Sequence, residues 1–213
     1  MAFETVRGKR VVVRFDGKRC IHSRNCVLTH PDVFVPNVEG DWIRPDAAYP
    51  EEVALTARAC PSGAIRYEAV DGTQVEPAPA VNTVRIRENG PLAFNAPLRI
   101  AGVEEGYRAT LCRCGQSSNK PFCDGSHAQA GFAASGERAP NESQALAARD
   151  GVLAIEPQKN GPLQVAGNLE IVTGTGHTVD RVTRTWLCRC GHSANKPFCD
   201  GSHRKAGFQA EGT

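Results

Sequence analysis

Cys112-Arg113-Cys114-Gly115-Gln116-Ser117-Ser118-Asn119-Lys120-Pro121-Phe122-Cys123-Asp124-Gly125-Ser126-His127 is written a second time as Cys188-Arg189-Cys190-Gly191-His192-Ser193-Ala194-Asn195-Lys196-Pro197-Phe198-Cys199-Asp200-Gly201-Ser202-His203. Only Gln116 against His192 and Ser118 against Ala194 differ, so the duplication takes in the loop as well as its sulfur and imidazole donors. Three cysteines and a histidine on one short loop make a metal-ligand constellation, and this chain carries it twice.

The remaining cysteines support that reading. Six of nine fall in the two blocks, which leaves Cys20, Cys26 and Cys60 as a third set of three. A disulfide framework would strand one of nine and leave the histidines unexplained, and Cys-x-Cys neighbours are badly placed to bridge each other. The opening residues, Met1 to Arg7, lack the apolar run of a secretory signal, and no uncharged stretch is long enough to span a bilayer. The expectation is a soluble, cytoplasmic chain with reduced thiols available to metal.

Working outward, the duplication continues beyond the loops. Asn89-Gly90-Pro91-Leu92 recurs as Asn160-Gly161-Pro162-Leu163. Each copy has a strand-like segment before it (Thr83 to Arg87; Gly151 to Ile155) and another after it (Pro97 to Ile100; Asn168 to Val172). Behind each histidine comes a matching tail, Ala130-Gly131-Phe132-Ala133 and Ala206-Gly207-Phe208-Gln209. The repeated unit reads as strand, turn, strand, then a strand into the metal loop. One such unit is too small to bury much core, so the two copies are expected to pack as an internal pseudo-dimer in a monomer. With 213 residues, 21 glycines, 14 prolines and 6% aromatics, the chain suits small loop-rich units. The expected division is 1–72, a linker at 73–82, first repeat 83–138, connection 139–149 and second repeat 150–213, in an α+β class. A formal charge of +2 with scattered Lys and Arg excludes the footprint of a nucleic-acid binder.

Soft thiolates select zinc, copper(I) or iron–sulfur clusters, and three Cys with one His is also a familiar structural zinc set. The spacing argues for iron and sulfide. Zinc pairs are commonly separated by two to four residues, whereas the first pair here is separated by one, and two close pairs can each hold one iron of a [2Fe-2S] rhomb. Cys-x-Cys, Ser117 or Ser193, Pro121 or Pro197, and Cys-Asp-Gly-Ser-His resemble the CDGSH iron–sulfur domain of the mitoNEET (NEET) family, over roughly the last two-thirds of the chain. The resemblance implies two [2Fe-2S] clusters. Cys112 and Cys114 would hold one iron of the first and Cys123 and His127 the other, repeated by Cys188, Cys190, Cys199 and His203. The membrane anchor and homodimer of better-known members are not carried over, because this chain has no such helix and holds both motifs itself. Asp124 and Asp200 are expected to cap a helix starting at the histidine, with Gly125 and Gly201 giving backbone freedom. Lys120, Lys196, Arg113 and Arg189 are read as solvated loop cations rather than residues that tune the cluster. Trp186, where the first copy has Thr110, either shields the second cluster or simply packs.

The first third reads differently. Lys9 to Asp16 alternates as a strand, Pro50-Glu51-Glu52 opens a helix that delivers Cys60, and Ala64 to Tyr67 closes as a strand. Cys20, Cys26 and Cys60-Pro61 resemble a single-cluster bacterial-type ferredoxin in which Ser23 stands at the middle cysteine position. The resemblance implies a cuboidal cluster, [3Fe-4S] on three thiolates, or [4Fe-4S] if Ser23, His22 or solvent completes it. His22 reads better as a solvated loop residue, and His30, His177 and His192 have no ligand-like spacing.

The chain is thus expected to transfer electrons, with cluster storage, delivery or sensing, or a zinc-stabilised interaction module, as alternatives. No dinucleotide loop, phosphate loop or nucleophile elbow is present, so the chain itself is not expected to be an enzyme. Any reductase chemistry would come from a partner, a flavoprotein or an oxygenase by ferredoxin resemblance, or the partner would be an apo-protein accepting a cluster. No nucleic-acid or membrane partner is expected.

Overall fold

The structure, a computed structural model, describes residues 3–72 and 76–212. Thr73 to Val75, at the start of the expected linker, lie outside the described residues. The chain divides into two compact units, Met1–Pro77 and Ala78–Thr213, and contains both helices and strands, with sheet predominating.

In the first unit, β1 (Glu4–Arg7), β2 (Val11–Phe15) and β3 (Ile65–Ala69) form an antiparallel sheet with β2 in the middle. The five-residue helix α1 (Asn25–Thr29) carries Cys26, and α2 (Pro50–Arg58) packs its Val53, Ala54 and Ala57 against Val11, Val13, Ile65 and Tyr67. Pro50 opens α2 where its missing N–H costs nothing, and Glu52 accepts the Tyr49 N–H at 3.0 Å. Ala59 ends the helix, so Cys60 follows directly in the chain and is buried, as the sequence leads one to expect.

The second unit is a single six-stranded sheet. The first copy contributes β4 (Thr83–Ile86), β5 (Leu92–Ile100) and β6 (Val103–Leu111), and the second contributes β7 (Leu153–Pro157), β8 (Leu163–Val172) and β9 (Thr178–Leu187). Within each copy the pairings are antiparallel. Between copies they are parallel and reciprocal: β4 runs beside the end of β8 (Thr83 with Glu170), and β7 beside the end of β5 (Leu98 with Leu153). β5 and β8 even break register at matching points, after Asn95 and after Ala166. One core results, in which Val84, Phe94 and Leu111 of the first copy meet Leu153, Val165 and Leu187 of the second. Neither copy encloses that core alone.

The metal loops leave β6 and β9 at Cys112 and Cys188 and meet backbone to backbone, with Cys114 and Cys190 forming an isolated antiparallel bridge. Gly115 (φ 82°) and Gly191 (φ 86°) permit this approach. A Cβ on Gly115 would fall 2.5 Å from the Cys190 carbonyl oxygen, and one on Gly191 2.5 Å from that of Cys114. The segment joining the copies has no regular structure but is anchored. Asn141 N–H donates to the Val179 carbonyl at 2.7 Å, and Arg149 donates to the Glu170 carboxylate at 2.7 and 3.1 Å.

Gly115→Ala should therefore combine left-handed strain with a backbone clash and cost about 3 kcal/mol, lowering the thermal midpoint of the second unit by several degrees. Gly125→Ala, at φ 87° with nothing within 4 Å, should cost only about 1 kcal/mol. Equal thermal shifts for the two variants would contradict the loop-to-loop contact.

Candidate metal centres

Each metal loop presents its donors as two pairs. Cys112 Sγ lies 3.8 Å from Cys114 Sγ, and Cys188 Sγ 3.7 Å from Cys190 Sγ. Cys123 Sγ lies 3.4 Å from His127 Nδ1, and Cys199 Sγ 3.5 Å from His203 Nδ1. Two thiolates at ~2.3 Å from one tetrahedral metal stand ~3.8 Å apart, and a thiolate and an imidazole nitrogen ~3.5 Å. Every pair therefore matches one edge of a metal tetrahedron. Yet among the described residues no three His, Cys, Asp or Glu side chains converge as ligands of one ion. Two such edges on each loop give a donor set of soft thiolates and an imidazole that fits a bound metal centre.

The loop backbone is shaped around the sulfurs. Gln116 N–H is 3.4 Å from Cys114 Sγ and Gly125 N–H 3.4 Å from Cys123 Sγ, and the second copy repeats both contacts from His192 and Gly201. Ser117 donates to the Phe122 carbonyl at 2.6 Å and accepts Asn119 N–H at 3.0 Å, closing the loop; Ser193 does the same with Phe198 and Asn195. Without metal, the Cys114 thiol bonds the Cys112 sulfur and draws its pKa down to about 6 against the effect of burial, while Cys114 is pushed up by the same bond. Cys188 is drawn down to about 5 in the same way by Cys190. Burial pushes Cys123 up to about 11, also raises Cys199, and lowers His127.

Asp124 stands one residue earlier than a cap. The helices after the aspartates are single turns, α3 (Ser126–Gln129) and α4 (Ser202–Lys205), and Gly125 and Gly201 occupy their N-cap positions. Asp124 Oδ1 accepts from the Ser126 N–H and hydroxyl at 3.0 and 2.6 Å, and its Oδ2 from those of Ser118, both at 2.8 Å. Burial would raise its pKa, but these donors outweigh it and hold the carboxyl well below the usual carboxylate range. Asp200 is held down likewise, first by the Ser202 side chain and then by backbone N–H groups, with Ala194 offering no hydroxyl.

The loop cations are not solvated as the sequence suggested. Arg113 and Arg189 are each 1% exposed and are among the largest fully buried side chains. Arg113 donates to the carbonyls of Gly90 (2.8 Å), Arg87 (2.7 Å), Ala134 (2.9 Å) and Ser135 (3.0 Å) and lies 5.3 Å over the Phe132 ring. Arg189 repeats this with Gly161, Gln158, Glu211 and Phe208. Each guanidinium joins the metal loop, the Asn-Gly-Pro turn and the tail behind the histidine, saturating a buried charge with carbonyl acceptors. Burial lowers Arg113 to about 10, so it stays charged at neutral pH, and its charge reaches Cys188 of the other copy as that of Arg189 reaches Cys112. Lys120 and Lys196 are half-buried and donate to the carbonyls of Ser117 and Ser193. Arg138, at the end of the first repeat, clasps the second loop through Asn195 Oδ1 (2.9 Å) and the Lys196 carbonyl (3.0 Å), over the Phe198 ring. Sequence reading missed the arginine clamps. Their signal was the joint repetition of Arg and the Ala-Gly-Phe tail.

In the first unit Cys20, Cys26 and Cys60 line one cavity of about 520 Å³, walled by Phe15, Trp42 and Ile65. The room, the apolar walls and three thiols fit a cuboidal cluster. Burial raises Cys20 and Cys26, opposed by the N–H groups of His22 and Val27 directed at their sulfurs. Ser23 lines the cavity as well, as does His22, whose residue is exposed. Of the other histidines, His30 Nδ1 pairs with Thr56 Oγ1 at 2.5 Å, His177 bonds Thr175, and His192 is exposed.

A group whose folded-state pKa is depressed contributes stability above its unfolded value and loses it as pH falls through the folded value. The two aspartates therefore stay ionised down to below the ordinary carboxylate range, and metal loss between about pH 4 and 7 reports on other groups. Asp124→Asn, which loses the acceptor for Ser118, should speed metal loss from the first loop by about tenfold. Asp200→Asn should have a smaller effect on the second, because Ala194 contributes only its N–H. Metal release followed by chelator absorbance would contradict this ranking if Asp200→Asn had the larger effect.

No helix among the described residues is long and apolar enough to cross a membrane. A search of curated proteins found no relative. The family model for the divergent 4Fe-4S mono-cluster matches residues 6–69, covering all three cysteines of the first unit. That for the iron-binding zinc finger of CDGSH type matches residues 62–128 and 160–204, which include both metal loops and more than half of the chain. By this match and by the loops it covers, the chain belongs to the CDGSH iron-binding family, with an iron–sulfur mono-cluster domain at its N-terminal end.

Proposed function

We propose that the protein is a multi-cluster electron carrier. Cys112, Cys114, Cys123 and His127 would hold one [2Fe-2S] cluster, Cys188, Cys190, Cys199 and His203 a second, and Cys20, Cys26 and Cys60 a cuboidal one. The observation that carries the reading is the arrangement of each loop's donors as two close pairs, Cys with Cys and Cys with His. Clusters of these types supply one-electron exchange at a potential set by ligand charge and by hydrogen bonds to sulfur. The chain contributes N–H donors to the sulfurs, a neutral imidazole in place of a fourth thiolate, and buried guanidinium charge near both loops. The parallel strand pairings between copies and the Cys114 to Cys190 bridge support an internal pseudo-dimer, in which electrons would pass between the two CDGSH centres. The cuboidal site is read as [3Fe-4S] on three thiolates, or [4Fe-4S] with a non-thiolate fourth ligand, the form to which its family description points. The chain acts as a carrier, and a flavoprotein or oxygenase partner performs any chemistry on substrate.

Iron, sulfide and zinc per chain on anaerobically purified protein, with EPR before and after dithionite, decide the matter. About seven irons with a [3Fe-4S] signal when oxidised, or about eight with a [4Fe-4S] signal when reduced, support the three-cluster carrier. Stoichiometric zinc without sulfide refutes it. His127→Cys or His203→Cys adds a negative charge and removes the protonatable ligand, so each should lower that cluster's potential and slow its loss as pH falls below neutrality. Acid lability unchanged in both variants would remove the histidine from that role.

A further inference from the structure

The two copies are nearly identical at the metal loops and differ around them. Beside the second loop lies an open cleft of about 710 Å³, lined by Cys199 and His203 together with Lys159, Trp186 and Arg204. Trp186 is 46% exposed. Arg184, two residues earlier on β9, shares its face and is exposed. Lys159, Arg204 and Lys205 are exposed too. The corresponding residues of the first copy are Glu88, Ala128 and Gln129, and Thr110 and Arg108 stand for Trp186 and Arg184. Glu88 is turned to its own tail, accepting the Gly136 N–H at 2.5 Å, and Thr110 and Arg108 are buried. The sulfurs follow the same division, Cys123 being 2% exposed while Cys199 is partly exposed. Asp200, the nearest acid on the second loop, accepts bonds from Ser202 and Ala194 N–H groups of that loop. Two cations, Lys159 and Arg204, and one aromatic thus line the cleft beside the more accessible ligand pair, with Arg184 and Lys205 exposed on the same elements; the first copy has Glu88, Ala128 and Thr110 at the three lining positions.

We propose that this cationic, tryptophan-bearing cleft is the docking port through which the second CDGSH centre exchanges electrons with the acidic face of a partner protein. The inference rests on the carrier reading above. Positive charge raises the encounter rate with an acidic surface and orients it, while an exposed indole provides a contact that remains after docking. The first centre then communicates with the partner through the second, across the Cys114 to Cys190 contact.

Flavodoxin hydroquinone, an acidic electron donor, serves as the probe with the full holoprotein in stopped-flow reduction of the visible absorption. Lys159→Glu, Arg204→Glu and Lys205→Glu together should lower the bimolecular rate by about tenfold at low salt and abolish its fall with ionic strength. Oxidation of the reduced protein by cytochrome c, a basic acceptor, should become faster. Ala128→Glu with Gln129→Glu, at the matching positions of the first copy, should leave the flavodoxin rate within about twofold. A rate insensitive to the triple reversal, or equally sensitive to both sets, overturns the port. Reduction by dithionite is measured on each variant: centres that never accept an electron from it refute the carrier reading itself, whereas centres that do so with unchanged flavodoxin kinetics refute only the port.

Discussion

A buried guanidinium has to find acceptors for its donors, and in each metal loop the cheapest acceptors are carbonyls belonging to two other segments. Arg113 sits between the first two cysteines and is satisfied only when the turn at Arg87 to Gly90 and the tail at Ala134 to Ser135 close around it. Arg189 imposes the same closure on Gln158, Gly161 and Glu211. The loop, the turn and the tail therefore hold one another, and the spacing of the two ligand pairs follows from that closure. The positive charge left inside also offsets the negative thiolate charge of the other copy's loop.

The second constraint is that neither copy can bury its own sheet. β4 and β7 each use both edges, one antiparallel to the following strand of the same copy and one parallel to a strand of the other, which leaves the central strands paired on both sides and the core shared. This exchange places the metal loops side by side, where Gly115 and Gly191 allow carbonyls to approach to distances a side chain would forbid. The two copies differ around the shared loops. Thr110 and Trp186 occupy the same place in the repeat, yet one is buried and the other exposed beside a ligand pair.

Much of the fold was legible because its signals are local. The strand at Val11 to Phe15 shows as alternation, the start of α2 as proline followed by two acids, and the doubled turn as Asn-Gly-Pro. The strands Leu92 to Ile100 and Leu163 to Val172 are longer than the sequence suggested, because each continues through a break in register where Pro97 or Gly167 reads as an interruption. Arg113 and Arg189 are buried against expectation because nothing local distinguishes a loop cation that reaches solvent from one that reaches carbonyls more than twenty residues away, whereas Lys120 and Lys196 bend back to carbonyls three residues earlier. Asp124 was assigned the right kind of bond one position too late, since the glycine after it takes the cap and the carboxylate binds the first helical N–H from outside.

The sequence by itself determined the donor set. Thiolate and imidazole are properties of residue type, and their spacing within one sixteen-residue stretch restricts which metals they suit, wherever the rest of the chain runs. The tertiary structure alone decided that the donors stand as close pairs, that the two loops touch through their backbones, that the intervening arginines are buried, and that the second ligand set opens onto a cleft lined by Lys159 and Arg204. The last three depend on contacts between residues more than twenty positions apart, and burial and electrostatic environment are set by such contacts and not by any local run of residues.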